Sequence, residues 1–204
     1  MSALTKFLHI YQKDKNLHHL TQDCRFINLI KLFMQIKQLN ANQIITLTDF
    51  PVYNEHILKI FFLVFRKKCS KIMPPCPIMD ISLVAPYFSD KLKTIFSKFV
   101  NRNPQVKYFL LDGSHKTTAA TLTGSKIAVM IFRNNKDILE AKKMVKTGDL
   151  FSLTVDDTIK DNAIELKNHF NKKKYFQTIA EKTELMVKKK VIPQYMINYY
   201  NKNK

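Results

Sequence analysis

The sequence predicts an α/β (α+β) fold, with strands alternating with helices, followed by a basic and mainly helical C-terminal extension. Short apolar runs of strand length alternate with segments of helical periodicity between residues 42 and 150, the pattern of an α/β or α+β domain. The chain has 204 residues and is 46% hydrophobic, so it can bury a substantial core. We therefore expect an N-terminal helical segment at 1–41, the α/β domain at 42–150 and the extension at 151–204.

Helices and strands alternate through the first half of the chain. Apolar residues recur every three or four positions in 25–39, which predicts a helix. IITLT at 44–48 is rich in β-branched residues and predicts a strand, and Asn54 is placed to cap a largely apolar, buried helix at 55–68. Prolines then separate this helix from IMDISLV, which predicts a strand at 78–84.

The second half repeats the alternation. Ser89 is placed to cap an amphipathic helix at 90–100, and YFLL predicts a short buried strand at 108–111. Then come a short helix at 117–122 with Gly124 as its C-terminal cap, an apolar strand at 126–132 and a helix at 137–146. Beyond it we expect a strand at 150–155 and helices at 156–170 and 173–190.

The net charge indicates the class of partner, and the cysteine content indicates the cellular compartment. With 34 Lys and Arg against 16 Asp and Glu, the net charge is +18, which favours polyanions such as nucleic acid or phosphorylated molecules. An AT-rich genome would also raise the lysine content, so codon bias is an alternative source of the charge. No apolar run has the roughly 20 residues of a membrane span, and three widely spaced cysteines form no disulfide framework. We expect a cytoplasmic protein with no membrane partner.

Two of the three glycines lie in YFLLDGSHKTTAATLTGSKI, at 108–127. A buried strand feeds the turn DGSHK (112–116, the DGSHK turn), and the turn feeds a helix whose first amides carry partial positive charge. Such an end suits phosphate. Gly113 lets the backbone approach a ligand; the other candidate ligands are Ser114, His115, Lys116, Thr117 and Thr118.

Asp112 has three possible roles in this turn: to hold a metal ion, to accept a substrate hydroxyl, or merely to cap the turn. A hydrolytic triad of Asp112, Ser114 and His115 is disfavoured because residues this close in sequence rarely acquire the required geometry. The P-loop pattern GxxxxGK[ST] is absent. An Asp-Gly turn without function is the structural alternative.

The order of these segments resembles the ParB/sulfiredoxin superfamily over 44–132. IITLTDFPVYNEHILKIFFLVF stands where the family has its first strand and helix, CPIMDIS where it has a proline–isoleucine strand, and LLDGSHKTTAATLTGSKIAVMIF on its signature, DGxHR followed by a small-residue helix and a strand. The turn lacks the cysteine of sulfiredoxins and the G-E-R-R of partitioning ParB proteins. It is most similar to the DGHHR form of ParB-like serine kinases, with Lys116 for the arginine.

The resemblance implies a ParB/sulfiredoxin-like mixed sheet with helices, and a nucleotide-binding phosphotransferase or NTP hydrolase that uses ATP or CTP with Mg²⁺. In that reading Asp112 acts on the substrate hydroxyl or the metal, and His115 with the helix N-terminus holds phosphates. Glu55 takes the place of the glutamate that these kinases carry near their first helix; a plain N-terminal helix acid is its structural alternative. Lysine lacks the bidentate fork of arginine, so the phosphate geometry would differ.

A second hypothesis, from a different class, is a DNA-binding ParB-like protein, or a ParB-like nuclease, that uses the basic C-terminal helices. Aromatic residues among cations can stack on bases, and Tyr195, Tyr199 and Tyr200 lie in the tail; packing of these tyrosines on the core is the alternative. A homodimer is left open. The candidate nucleic-acid contacts are Lys172, Lys173, Lys174, Lys188, Lys189 and Lys190.

Overall fold

A six-stranded mixed sheet with helices on both faces forms the described part of the protein. The computed structural model describes residues 35–47, 54–70, 73–147, 150 and 153–204. The strands are β1 (Ile36–Leu39), β2 (Ile44–Thr46), β3 (Cys76–Asp80), β4 (Tyr108–Leu110), β5 (Ile127–Phe132) and β6 (Gln177–Thr178). They lie in the order β1-β5-β3-β4-β2-β6. The predicted α/β class is thus confirmed as a mixed helix-and-sheet fold.

Eight α-helices accompany the sheet in the described ranges. They are α1 (Glu55–Arg66), α2 (Ile81–Val84), α3 (Asp90–Arg102), α4 (Ser114–Leu122), α5 (Asn135–Thr147), α6 (Ile159–Lys173), α7 (Ile179–Lys188) and α8 (Gln194–Lys202). Short 3₁₀ turns lie between β1 and β2, at Ala41–Gln43, and between α2 and α3, at Ala85–Tyr87. Asn54 and Ser89 cap α1 and α3 through their side chains, as predicted.

Parallel and antiparallel pairs alternate across the sheet. β1 and β5 are antiparallel, β5 and β3 parallel, β3 and β4 antiparallel, β4 and β2 parallel, and β2 and β6 antiparallel. The antiparallel pairing of β3 with β4 brings the start of β3 beside the end of β4. The residues around Cys76 therefore lie under the DGSHK turn.

Each face of the sheet carries its own apolar cluster. On one face α3 and α6 pack over β4 through an aromatic group that includes Phe96, Phe109, Phe170 and Phe176, with the rings of Phe170 and Phe176 stacked at 4.4 Å. We call this the aromatic face. On the other face α1, α4, α7 and α8 pack around residues such as Phe62, Ala119 and Met186; we call it the α4 face.

The C-terminal segment expected as an extension is part of this same architecture. β6 adds an edge strand beside β2, α6 packs on the aromatic face and α7 and α8 on the α4 face. β6 replaces part of the helix predicted at 173–190, because the chain reverses at Lys174 in a left-handed conformation (φ +59°) before it reaches β2.

Three further sequence predictions are corrected by the structure. The helix predicted at 25–39 is wrong at its end, because Ile36–Leu39 pairs with β5; the rest of that segment lies outside the described residues. The strand predicted at 78–84 ends at Asp80, whose side chain accepts the amide of Ser82 and starts α2. The strand predicted at 150–155 is not formed in its described residues, 150 and 153–155.

Within the ranges that the structure describes, no helix combines the length and the apolar character that a membrane crossing requires.

Candidate functional site

The DGSHK turn is shaped by Gly113. Its φ of +103° lies in the region that side-chain-bearing residues avoid, and it stands at the N-cap of α4. A Cβ placed on Gly113 would lie 2.7 Å from Sγ of Cys76, the first residue of β3. The glycine therefore serves both the backbone conformation and the close packing of the turn on β3.

The N-terminus of α4 is open, unlike most other helix starts in the described chain. Side chains of Asn54, Ser89, Thr158 and Thr178 cap α1, α3, α6 and α7, whereas Gly113 offers α4 no side-chain cap. The first amides of a helix lack intrahelical partners. An open end of this kind leaves donors and a partial positive charge for an anion.

A second helix begins at the same place. The backbone amide of Asn54, the N-cap of α1, donates to Nε2 of His115 over 3.4 Å. His115 therefore accepts a hydrogen bond at Nε2 and is neutral in this arrangement. Burial and the nearby Lys182 ammonium lower its pKa, against the opposing effect of Asp112. The N-termini of α1 and α4 thus meet at one imidazole.

Lys182 is the site residue that the sequence analysis missed. Its side chain is 3% exposed, and Nζ donates to the Leu47 carbonyl at 3.0 Å and to Oγ of Ser114 at 3.4 Å. A buried ammonium is costly unless it is hydrogen-bonded or paired. Its sequence position carried a signal: Ile179, Thr183 and Met186 are buried around it at helical spacing, so Lys182 lies on the buried stripe of α7.

Asp112 is held by backbone amides. Oδ1 accepts the amide of Gly113 at 2.6 Å, and Oδ2 accepts the amide of Thr154 at 3.1 Å. The first contact caps the turn, which is one of the three roles considered for this residue. The second ties the turn to the segment that leads into α6. Each carboxylate oxygen has a further lone pair, so both oxygens can accept another donor or a cation.

The remaining predicted ligands of the turn point elsewhere. The ammonium of Lys116 donates to the Pro74 carbonyl at 2.6 Å, beside the start of β3. Thr117 and Thr118 are buried, and the Thr117 hydroxyl lies 3.1 Å from each of the Gly113 and Ser114 carbonyls. The structure therefore brings Ser114, His115 and Lys182 together, while Lys116, Thr117 and Thr118 bond to backbone or lie in the core.

Glu55 lies in the first turn of α1, next to Asn54, and is exposed. Its charge acts on Tyr195: burial raises the pKa of the Tyr195 hydroxyl, and Glu55 adds to that rise. In the described ranges no hydrogen bond or ion pair joins Glu55 to the DGSHK turn, and no group of three or more His, Cys, Asp or Glu side chains could hold a metal ion.

The two basic runs lie on opposite faces of the sheet. Lys172, Lys173 and Lys174 end α6, which packs on the aromatic face, whereas Lys188, Lys189 and Lys190 follow α7 on the α4 face. Of the tail tyrosines, Tyr199 and Tyr200 pack against the α4-face cluster, and Tyr195 is 40% exposed. The two runs therefore do not form one continuous groove.

Comparison of the chain with protein-family models, with curated proteins and with solved structures found no match in any of the three.

Proposed function

We propose that the chain is a cytoplasmic, ParB-like nucleotide-binding protein whose phosphate site is the start of α4, and that it acts as a phosphotransferase or an NTP hydrolase. One observation carries the proposal: the uncapped N-terminus of α4 adjoins the Lys182 ammonium and His115. The resemblance of 44–132 to the ParB/sulfiredoxin superfamily, whose signature falls on the same turn, points to the same site. Amides at a helix start with an adjacent cation are the usual components of a phosphate site.

The residues divide between binding and reaction. The open amides of α4 and the Ser114 hydroxyl bind the phosphate oxygens, and the buried Lys182 ammonium, 3.4 Å from the Ser114 hydroxyl, adds positive charge behind them. His115 is a neutral imidazole whose Nε2 already accepts the Asn54 amide, so its Nδ1–H is the group that can donate to a phosphate oxygen. Phosphoryl transfer depends mainly on positioning and charge stabilisation, and these groups supply both.

Asp112 is the residue that binds Mg²⁺ or acts on the hydroxyl of the phosphate acceptor. Magnesium usually takes one or two carboxylates together with substrate phosphates and water, so a single aspartate beside a phosphate site fits it. Bound Mg²⁺ would neutralise phosphate charge. The carboxylate, fixed by the amides of Gly113 and Thr154, is also oriented to accept the proton of a substrate hydroxyl.

The first test is a melting-temperature screen of the full chain with ATP, CTP, ADP and GTP, with and without Mg²⁺. Ligand that binds only the folded state raises the melting temperature. We expect a shift with ATP or CTP that is lost in Lys182→Met and reduced in His115→Gln. Lys160→Met is the matched control, since Lys160 is an exposed lysine of α6, and should keep the shift. The absence of a shift with every nucleotide overturns the proposal.

Turnover is tested separately from binding. Asp112→Asn is expected to keep nucleotide binding but to lower product formation from ATP or CTP by at least about 100-fold, the contribution of a positioned acid–base group. Product release is measured as inorganic phosphate and as phosphate transferred to free serine. Full binding with no turnover in the unmodified chain would restrict the function to a nucleotide-binding module.

A further inference from the structure

The outer surface of α3 and α6 on the aromatic face carries a concentrated positive charge. α3 has four cations, Lys91, Lys93, Lys98 and Arg102, all exposed, and one carboxylate, Asp90. Asp90 lies 3.7 Å from Lys93, so Lys93 partly neutralises it. After Glu165, α6 has only basic charges. This surface is therefore not a solvated face of mixed sign, which would carry similar numbers of acids and bases.

The two helices hold these cations in one place. Ser89 at the start of α3 lies beside Asn171 near the end of α6, with 3.5 Å between their side-chain oxygens. Both helices are anchored on the aromatic cluster through Phe96 and Phe170. Between them is a shallow groove, lined by Ser89, Lys91, Leu92, Ile95, Asn171 and Lys174. The groove has lysines, hydroxyl and amide groups at its walls, the groups that contact phosphates in nucleic-acid complexes.

An exposed tyrosine comes directly after the groove residues in the chain. Tyr175 directly follows Lys174 and is 44% exposed, while the next residue, Phe176, is 7% exposed and packs in the aromatic cluster. The buried phenylalanine fixes the backbone from which the tyrosine projects. Aromatic side chains next to a basic groove stack on the bases of single strands, whose faces are accessible, whereas those of a duplex are already stacked.

We propose that the α3–α6 groove with Lys91, Lys172, Lys173, Lys174 and Tyr175 binds single-stranded nucleic acid, the lysines contacting phosphates and Tyr175 stacking on a base. The other basic run is a weaker candidate. Glu184 lies four residues before Lys188, one helical turn away, whereas Glu165, the last acid of α6, lies seven residues before Lys172. The α3–α6 groove lies on the aromatic face, opposite the nucleotide site proposed above, so either proposal can fail without the other.

The test measures fluorescence anisotropy of a labelled oligothymidylate of about 15 nucleotides, the upper range for a compact binding site, with the full chain. With about four phosphate contacts, a plot of the logarithm of the association constant against the logarithm of the salt concentration should have a slope of about −3. Binding should therefore be roughly 50-fold weaker at about 200 mM salt than at about 50 mM. A duplex of equal length and vesicles of anionic lipid are run beside it, and both should bind more weakly.

Two triple variants that change the net charge by the same amount show whether binding depends on the groove or only on the net charge of the protein. Lys172→Glu/Lys173→Glu/Lys174→Glu should lower affinity by at least tenfold and flatten the salt slope, whereas Lys188→Glu/Lys189→Glu/Lys190→Glu should change affinity by less than threefold. Tyr175→Ala should weaken binding by about fivefold or more. Tyr195→Ala, which changes a tyrosine of similar exposure, should not weaken it.

Folding of every variant is checked by circular dichroism, and glutamine replaces glutamate in both triples if one fails to fold. Equal losses in the two triples, tighter binding of the duplex or of the vesicles, or no effect of Tyr175→Ala would each overturn the proposal.

Discussion

Sγ of Cys76 lies 2.7 Å from the point where a side chain on Gly113 would begin. Cys76 is fully buried at the start of β3, and burial raises the pKa of its thiol. Real Cβ atoms do not approach another heavy atom so closely, so residue 113 must lack a side chain unless the strand moves. The close approach of the DGSHK turn to β3 therefore requires a glycine opposite Cys76.

Gly113→Ala is expected to destabilise the protein by about 3 kcal/mol. Strain at a positive φ contributes about 1–2 kcal/mol, and overpacking against Cys76 contributes about 1–3 kcal/mol. Urea unfolding of Gly113→Ala, Cys76→Ala and the double variant separates the two causes. The double variant should recover the packing cost but not the strain; additive effects would contradict the contact.

Asp112→Ala is expected to loosen the segment before α6. The carboxylate accepts the amides of Gly113 and Thr154, and its removal should cost about 1–3 kcal/mol, because hydrogen bonds to a charged group are lost. Hydrogen exchange at the Thr154 amide is the specific readout, and it should become faster. Asp137→Ala is a control at a distance, because its carboxylate accepts the amides of Arg133 and Asn134 at the start of α5. Unchanged exchange at Thr154 would show that the tie does not hold in solution.

Stability is expected to fall in mild acid because of His115. Burial and Lys182 lower its pKa below the ordinary 6.5, so between the two values the unfolded chain binds more protons than the folded one. The stability that neutral His115 contributes is complete above about pH 6.5, and it is lost as the pH falls toward the lower pKa of His115 in the folded chain. The free energy of unfolding, measured with denaturant from about pH 7 to 5, should fall less steeply with acid in His115→Gln than in the unmodified chain. His56→Gln, which changes an exposed imidazole of α1, is the matched control; an identical slope in both variants would contradict the assignment.

Phe176→Ala is expected to cost about 3–5 kcal/mol, the range for removing a buried ring. Phe176 contacts the rings of Phe88, Phe96, Phe99, Phe109 and Phe170, which belong to parts of the chain before and after residue 150. Unfolding should be one transition for the unmodified chain when followed by near- and far-ultraviolet circular dichroism. Leu139→Ala, at a 54% exposed position of α5, should change stability by less than about 0.5 kcal/mol. Two separated transitions would show that the C-terminal segment folds on its own.

Local chemistry made much of the fold predictable. Capping by Asn54 and Ser89, the stop at Gly124 and the turn at Gly113 all depend on side chains or backbone freedom within a few residues. Where prediction failed, a distant partner decided the conformation in one case and an adjacent cap in another. Ile36–Leu39 fits a helical pattern, yet it pairs with β5 about 90 residues later. ISLV at 81–84 suits a strand, but the Asp80 cap turns it into a helix.

The site was predictable only in part for the same reason. Residues 112–116 are contiguous, so their meeting is implied by the sequence. Lys182 reaches Ser114 from 68 positions away, and only its place on the buried stripe of α7 distinguishes it from Lys188, the other lysine of that helix. Lys116 shows the converse: it has the expected sequence position, but its ammonium goes to the Pro74 carbonyl.

The pairing of β2 with β6 has a consequence for synthesis. Ile45 pairs with Thr178, so β2 emerges from the ribosome about 130 residues before its edge partner exists. During that interval β2 has an unpaired backbone edge, and such edges invite pairing with other chains. Closing a contact of this sequence separation is slow. Nascent chains of this protein should therefore be good clients for chaperones that bind during translation, with protection needed until α7 has been made.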